Sequence, residues 1–182
     1  MFKTWAAFAV ITALAMLAPA AGAKAESASN IDASVEATLY RFYSHVGGAR
    51  ELAQKARGVL VFPSVVKAGF GIGGEYGEGA LHVDGRHEGY YNTVSASIGF
   101  QLGVEARSVI ILFMTNDALQ NFRRSHGWKV GVDGSVAIIS LGAGASIDTS
   151  KIVSPVVGFI LDPKGLMYNL TLEGSKISPI AR

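Results

Sequence analysis

Residues 30 to 46, NIDASVEATLYRFYSHV, place Ile31, Val35, Leu39, Phe42 and Val46 at spacings of three and four, which is one face of an amphipathic helix. Asn30 stands where a cap belongs, and Asp32 falls in the first turn, where a carboxylate meets the positive end of the helix dipole. The polar face offers Asp32, Glu36 and Arg41, hardly the cationic face of a lipid-surface helix, so the apolar stripe is expected to pack on a sheet. Gly47 and Gly48 break this helix. A second, shorter one over Ala49 to Arg57 is stopped by Gly58.

From Val59 the pattern changes to that of strands. GVLVFP is a continuous apolar run stopped by Pro63, the mark of a buried strand. SASIGFQLGVEA alternates, with Ala96, Ile98, Phe100, Leu102 and Val104 on one face and Ser95, Ser97, Gln101 and Glu105 on the other, which predicts a half-buried antiparallel strand. SVIILFMT (108–115) is apolar on both faces and reads as central. NDALQNFRRS then predicts a short helix capped by Asn116, with Leu119 and Phe122 facing inward. Asp84-Gly85 and Asp133-Gly134 are hairpin turn dipeptides, and Asp162-Pro163-Lys164-Gly165 fits a type I turn between VVGFIL and LMYNLTLE. Strands this closely spaced leave no room for helical crossovers, so the sheet is expected to be antiparallel. The fold class is α+β: two N-terminal helices packed on a curved, glycine-rich antiparallel β-sheet or partly closed barrel.

The stretch KAGFGIGGEYGEGALHV (67–83) contains GxGxxG at Gly69, Gly71 and Gly74. A dinucleotide site needs a helix opening on the last glycine, because the pyrophosphate sits on that helix's N-terminus. Here Gly77 and Gly79 come next, and each would cost a helix interior about 1 kcal/mol relative to alanine. Glycines at alternate positions instead make a strand with one bare face, and Gly73-Gly74 suggests a bulge that shifts that face. A bare face permits the close approach of another part of the fold or of a ligand, and packing is the favoured reading.

The first residues read as a leader. Lys3 precedes the apolar run AAFAVITALAMLA, which is shorter than the roughly 20 residues of a membrane-spanning helix. A-x-A signatures come after it at Ala21–Ala23 and Ala23–Ala25, so residues 1–25 are expected to be a cleaved secretory signal peptide, leaving 26–182 as one domain in the periplasm or outside the cell. The sequence has no cysteine, so neither disulfides nor a lipidated cysteine are expected. Without Lys3 and Lys24 the 16 basic residues fall to 14, matching the 14 acidic ones, and a near-neutral mature chain gives no argument for nucleic acid.

Several long blocks, ARGVLVFPSVVKAGFGIGGEYGEGAL, YYNTVSASIGFQLG, SVIILFMTNDALQNF, GWKVGVDGSVAI and GLMYNLTLEGSKI, run in order from about Ala56 to Ile177. In them the chain resembles the SYLF domain family. That family includes eukaryotic proteins of cortical actin patches and endocytosis whose SYLF domains bind phosphoinositides, and exported single-domain bacterial members. The resemblance implies a non-catalytic lipid-binding domain without a cofactor.

The side chains fit that expectation better than catalysis. There is no G-x-S-x-G elbow and no H-E-x-x-H. His82 faces His87 across the Asp84-Gly85 turn, a pair that with Asp84 and Glu88 nearby has metal-ligand chemistry, although a solvent-facing polar pair is the plainer reading. The densest basic run is Arg123-Arg124-Ser125-His126-Gly127-Trp128-Lys129. Arginine forks match phosphate oxygens, and tryptophan is favoured at membrane interfaces. Arg123, Arg124 and Lys129, with Trp128 as an apolar anchor, are therefore the expected lipid-binding residues, with Lys67 beside the glycine strand and Lys55 and Arg57 as weaker candidates. The expected partner is an anionic phospholipid or membrane surface. The alternative is a structural envelope protein acting through protein contacts or self-association on the glycine-rich face.

Overall fold

A computed structural model describes residues 25–141, 145–164, 172 and 174–182, without the side chains of 70–72, 97–102 and 162–164. The leader read at residues 1–25 lies outside this range apart from Ala25, as does most of the strand read at 166–173. Helix α1 spans Ala28–His45 and α2 spans Ala49–Lys55. The cap of α1 is Ser27 rather than Asn30: the Ser27 hydroxyl accepts from the Asn30 backbone N–H at 3.3 Å, so the helix starts earlier than its apolar stripe. That stripe packs on the sheet as expected, with Ile31, Val35 and Phe42 buried.

Two long strands dominate the sheet. Strand β1 (Gly58–Val83) and strand β2 (Arg86–Phe113) form one antiparallel hairpin, from Gly58 opposite Phe113 to Val83 opposite Arg86. The hairpin turns at Asp84-Gly85, both left-handed (φ 52° and 72°), as a type I′ turn requires. Strand β1 does not stop at Pro63. The register shifts between Phe62 and Val65, so the residue without an N–H sits at an irregularity, where its carbonyl accepts from Ser108 Oγ at 2.7 Å. A second shift lies between Phe70 and Ile72, ahead of Gly73 and Gly74, which stay paired with Ser97 and Ala96.

Helix α3 (Asn116–Arg124) comes next, capped by the Thr115 hydroxyl, which accepts from the Ala118 N–H, and not by Asn116. The remaining strands are β3 (Trp128–Lys129), β4 (Ala137–Leu141), β5 (Val156–Lys164) and β6 (Lys176–Ile180), with a 3-10 turn at Thr149–Lys151. Among the described residues they build one strongly curled, half-barrel sheet. The free edge of β2 is shared: β6 pairs with residues 90–94 and β5 with 106–113. The run SVIILF is therefore central, with partners on both sides, as its two-faced apolarity required.

The pairing corrects three expectations. Strand β4 runs parallel to β5, because residues 142–155 between them are long enough for a crossover. Residues Asp162 to Lys164 continue β5, Lys164 pairing with Ala106 across a register shift, so no tight turn falls there; Gly165 lies outside the described residues. Asp133-Gly134 is likewise not a type I′ turn, because neither residue has positive φ; Gly131 does, and the Asp133 carboxylate accepts from the Lys129 N–H at 2.6 Å.

The curl explains the glycines at its centre. A Cβ on Gly77 would lie 2.8 Å from Ser64 O and 2.9 Å from Val65 Cγ2, and one on Gly79 would strike the Val61 carbonyl. The first part of β1 thus crosses the bare face of its own later part, which is the packing role expected of these glycines. Apolar side chains fill both sides of the sheet. Outside, α1 and α2 bury Phe42 and Leu52 against Val61, Ile110 and Phe159; inside, Leu60, Phe62, Leu81, Ile111, Phe113, Phe122 and Trp128 form the second core.

A basic ridge, a buried ion cluster and an apolar outer face

The run Arg123 to Lys129 ends α3 and enters β3. Its aromatic residue does not reach the surface: Trp128 is 2% exposed, with its ring 5.7 Å from Phe122 and 6.2 Å from Phe113 in edge contacts. The expected membrane anchor is instead a core residue, since β3 alternates and the indole takes its inward position. Gly134 lies flat against it, where a Cβ would be 2.7 Å from the indole. Arg123 is ion-paired with Glu88, which a register shift between Leu81 and His82 leaves unpaired in β2. Arg124 stays exposed, its Nε donating to the Gln120 carbonyl at 3.3 Å.

The strand pairing adds a residue that no motif in the sequence points to. Lys129 sits directly opposite Lys176 on β6, both exposed, and Lys176 runs across Gly127, its Nζ 3.0 Å from where a Cβ would stand. Neither lysine has an ion pair among the described residues. Like charges directly across a sheet repel, so the fold holds a like-charge pair whose repulsion a bound anion would relieve.

Lys67 is not on this ridge. It is 2% exposed inside the curl, where its Nζ lies 3.5 Å from Glu75 Oε1. Arg107 Nη2 reaches Glu75 Oε2 at 2.7 Å, and Arg107 Nη1 lies 3.4 Å from Glu105 Oε1. Two cations and two carboxylates are thus enclosed together, while Glu105 Oε2 is buried without a hydrogen bond from any described residue. A buried charge is tolerated when paired and hydrogen-bonded. A cluster that neutralises itself has little pull left for a headgroup, which corrects the reading of Lys67 as a ligand.

The same curl inverts the alternation of β2. Glu105 and Thr93 point inward, whereas Val94, Ala96 and Val104 are exposed, Val104 at 63%. With Val66 and Tyr76 of β1 they make an apolar outer face beyond the cover of α1, where Val66, Tyr76 and Val94 line a hollow of about 610 Å³. At its edge Glu78 is held by Arg182 and by the Tyr76 hydroxyl. Burial pulls the Glu78 carboxyl upward, but the opposing hydrogen bonds from Arg182 and Tyr76 take it below the usual range.

His82 and His87 do face each other, rings 6.1 Å apart and edge-on. Burial, then the neighbouring His87, lowers the His82 pKa. His87 packs on the Tyr90 ring, and the Tyr90 hydroxyl donates to Asp32 Oδ2 at 2.9 Å, fastening α1 to the hairpin. Among the described residues no group of three or more histidines and carboxylates is placed to hold a metal ion.

The arrangement is therefore that of an α+β domain with charged and apolar surfaces on a curled hairpin sheet. Residues 94–181 match the family described as "Ysc84: Las17-binding protein actin regulator". The chain is 29% identical over 126 residues to "SH3 domain-containing YSC84-like protein 1" of Rattus norvegicus, and equally to the proteins of that name in Mus musculus and Bos taurus. The match covers 66% of this chain and 37% of each relative, so the chain corresponds to little more than a third of their length. The likeness to the SYLF family is thereby shown, and none of these names is that of an enzyme. No helix among the described residues is long and apolar enough to cross a membrane.

Proposed function

We propose that this chain is an exported, non-catalytic domain that binds anionic phospholipid headgroups on the ridge of Arg124, Lys129 and Lys176, with Arg123 at its edge. The observation that carries this reading is the Lys129–Lys176 pair, two exposed lysines directly opposite each other on β3 and β6, neither with an ion pair among the described residues. A phosphate between them offsets their repulsion, and Arg124 adds a forked donor. Trp128 supports the ridge from within rather than entering the bilayer. The test is co-sedimentation of the protein with neutral and anionic vesicles at low and moderate salt. Binding is expected to anionic vesicles only, to weaken with salt, and to be lost in Lys129→Glu/Lys176→Glu. Undiminished binding by that variant would remove the ridge from the reading.

A second reading rests on the exposed apolar face of Val66, Tyr76, Val94 and Val104. Here the chain acts through protein contacts or self-association, in line with relatives whose family is described by a protein it binds. Association without vesicle binding supports this reading over the first.

A further inference from the structure

On the opposite side of the sheet from α3, a cleft of about 420 Å³ opens between α1, α2 and the Asp84-Gly85 turn. Its size falls within the range of small-molecule sites. Two arginines line it, Arg50 from α2 and Arg57 just after it, together with two carboxylates, Glu36 of α1 and Asp84 of the turn. Among the described residues no ion pair joins either arginine to either carboxylate. Arg50 has its guanidinium carbon 4.8 Å from the centre of the Tyr43 ring, a cation–π contact that leaves its N–H groups able to donate to a ligand. Burial raises the Tyr43 hydroxyl pKa, with Arg50 pulling it down and Glu36 pushing it up. Gln54 and the half-buried His82 complete the polar lining, and Leu39, Ala53, Ala56 and Val59 give it apolar walls.

A cleft lined by two positive and two negative groups that form no ion pair with one another, among the described residues, leaves both signs of charge open to a ligand. It is complementary to a small molecule that carries both signs of charge. The donors suit a phosphate better than a carboxylate, because two guanidinium forks with an amide and an imidazole can serve three phosphate oxygens. The carboxylates suit an ammonium group. We propose that this cleft binds a small zwitterion of the aminoalkyl phosphate class, its phosphate toward Arg50 and Arg57 and its ammonium toward Glu36 and Asp84. The site shares no residue with the ridge, and neither proposal depends on the other.

The probe is O-phosphoethanolamine, titrated calorimetrically into the purified protein, with inorganic phosphate and ethanolamine in parallel. Saturable one-site binding is expected, weakened about tenfold or more by Arg50→Ala and by Glu36→Gln, and unchanged by Lys129→Glu/Lys176→Glu. Both targeted residues are exposed, so their variants should fold; Arg50→Lys, which keeps the charge but loses the fork, is the second variant if Arg50→Ala does not. No saturable binding overturns the proposal. So does inorganic phosphate binding as tightly as the zwitterion, with Glu36→Gln unaffected, since that describes a plain anion site. Vesicles of phosphatidylethanolamine in phosphatidylcholine separate the sources: Glu36-dependent co-sedimentation supports a membrane headgroup, and inert vesicles beside soluble binding support a free ligand.

Discussion

Among single residues, the glycines of β1 and β2 differ in what they do. Gly79 has the Val61 carbonyl carbon 2.8 Å from where a Cβ would be, and backbone there cannot step aside as a flexible side chain can. Gly79→Ala is expected to destabilise the fold by about 3 kcal/mol, the upper range of overpacking. Gly89 would bring its Cβ no closer than 3.7 Å to Tyr91, and Gly89→Ala should be nearly neutral; urea unfolding of the two variants makes the comparison. Arg107 is the centre of the enclosed ion cluster. Arg107→Ala leaves Glu75 and Glu105 buried without their main partner, and a loss of about 3–5 kcal/mol is expected by the same measurement. A close approach of this kind is not legible in sequence. KAGFGIGGEYGEGALHV announces a bare strand face, but which part of the chain covers it depends on how far the strand curls.

Among the elements, α1 is the most legible, because a 3.6-residue period survives any tertiary context. Its cap is not, because Ser27 precedes the apolar stripe, and Thr115 escapes notice for the same reason. The strands are legible as strands but not by polarity. Alternation says which residues share a face, and only the closure of the sheet says which face is inside; Val104 outside and Glu105 inside is the case in point. Lys176 is hidden because β3 and β6 lie far apart in the chain. The hairpin tip carries a pH dependence. The His82 pKa is below its ordinary value of about 6.5 in the fold, so the neutral form is favoured there. Its contribution is complete above the unfolded pKa and is lost as pH falls through the folded one. Stability measured by thermal melts should therefore drop on acidification from neutrality, and His82→Gln should flatten that part of the profile.

At the scale of the whole molecule, the described residues set a cationic ridge at the α3 end apart from an apolar face on the outer hairpin. Replacing Val94 and Val104 together by serine is expected to leave the melting temperature nearly unchanged, since both are exposed, while reducing concentration-dependent association in sedimentation velocity. Charge reversal on the ridge should leave that association untouched and act on vesicle binding alone. The likeness to the family is legible in the sequence, because the spelled blocks are long, and those that lie between residue 94 and Ile177 fall within the matched stretch. Of the surfaces, the ridge is legible in its run from Arg123 to Lys129, whereas Lys176 and the apolar face are not, since they are brought in from distant parts of the chain.

Strand β2 has one neighbour that precedes it in the chain and two that come after it. The hairpin can zip from its turn as soon as Phe113 is made, but the second edge of β2 stays open until β5 and then β6 arrive. During vectorial synthesis the protein therefore passes through a stage with a long, unpaired, partly apolar strand edge, which invites pairing with another chain. Completion waits for Ile180 opposite Tyr90. Any factor that keeps such chains apart would matter most in that interval, and a chain halted before Lys176 should be markedly more prone to aggregate than the full-length protein carrying any one of these substitutions.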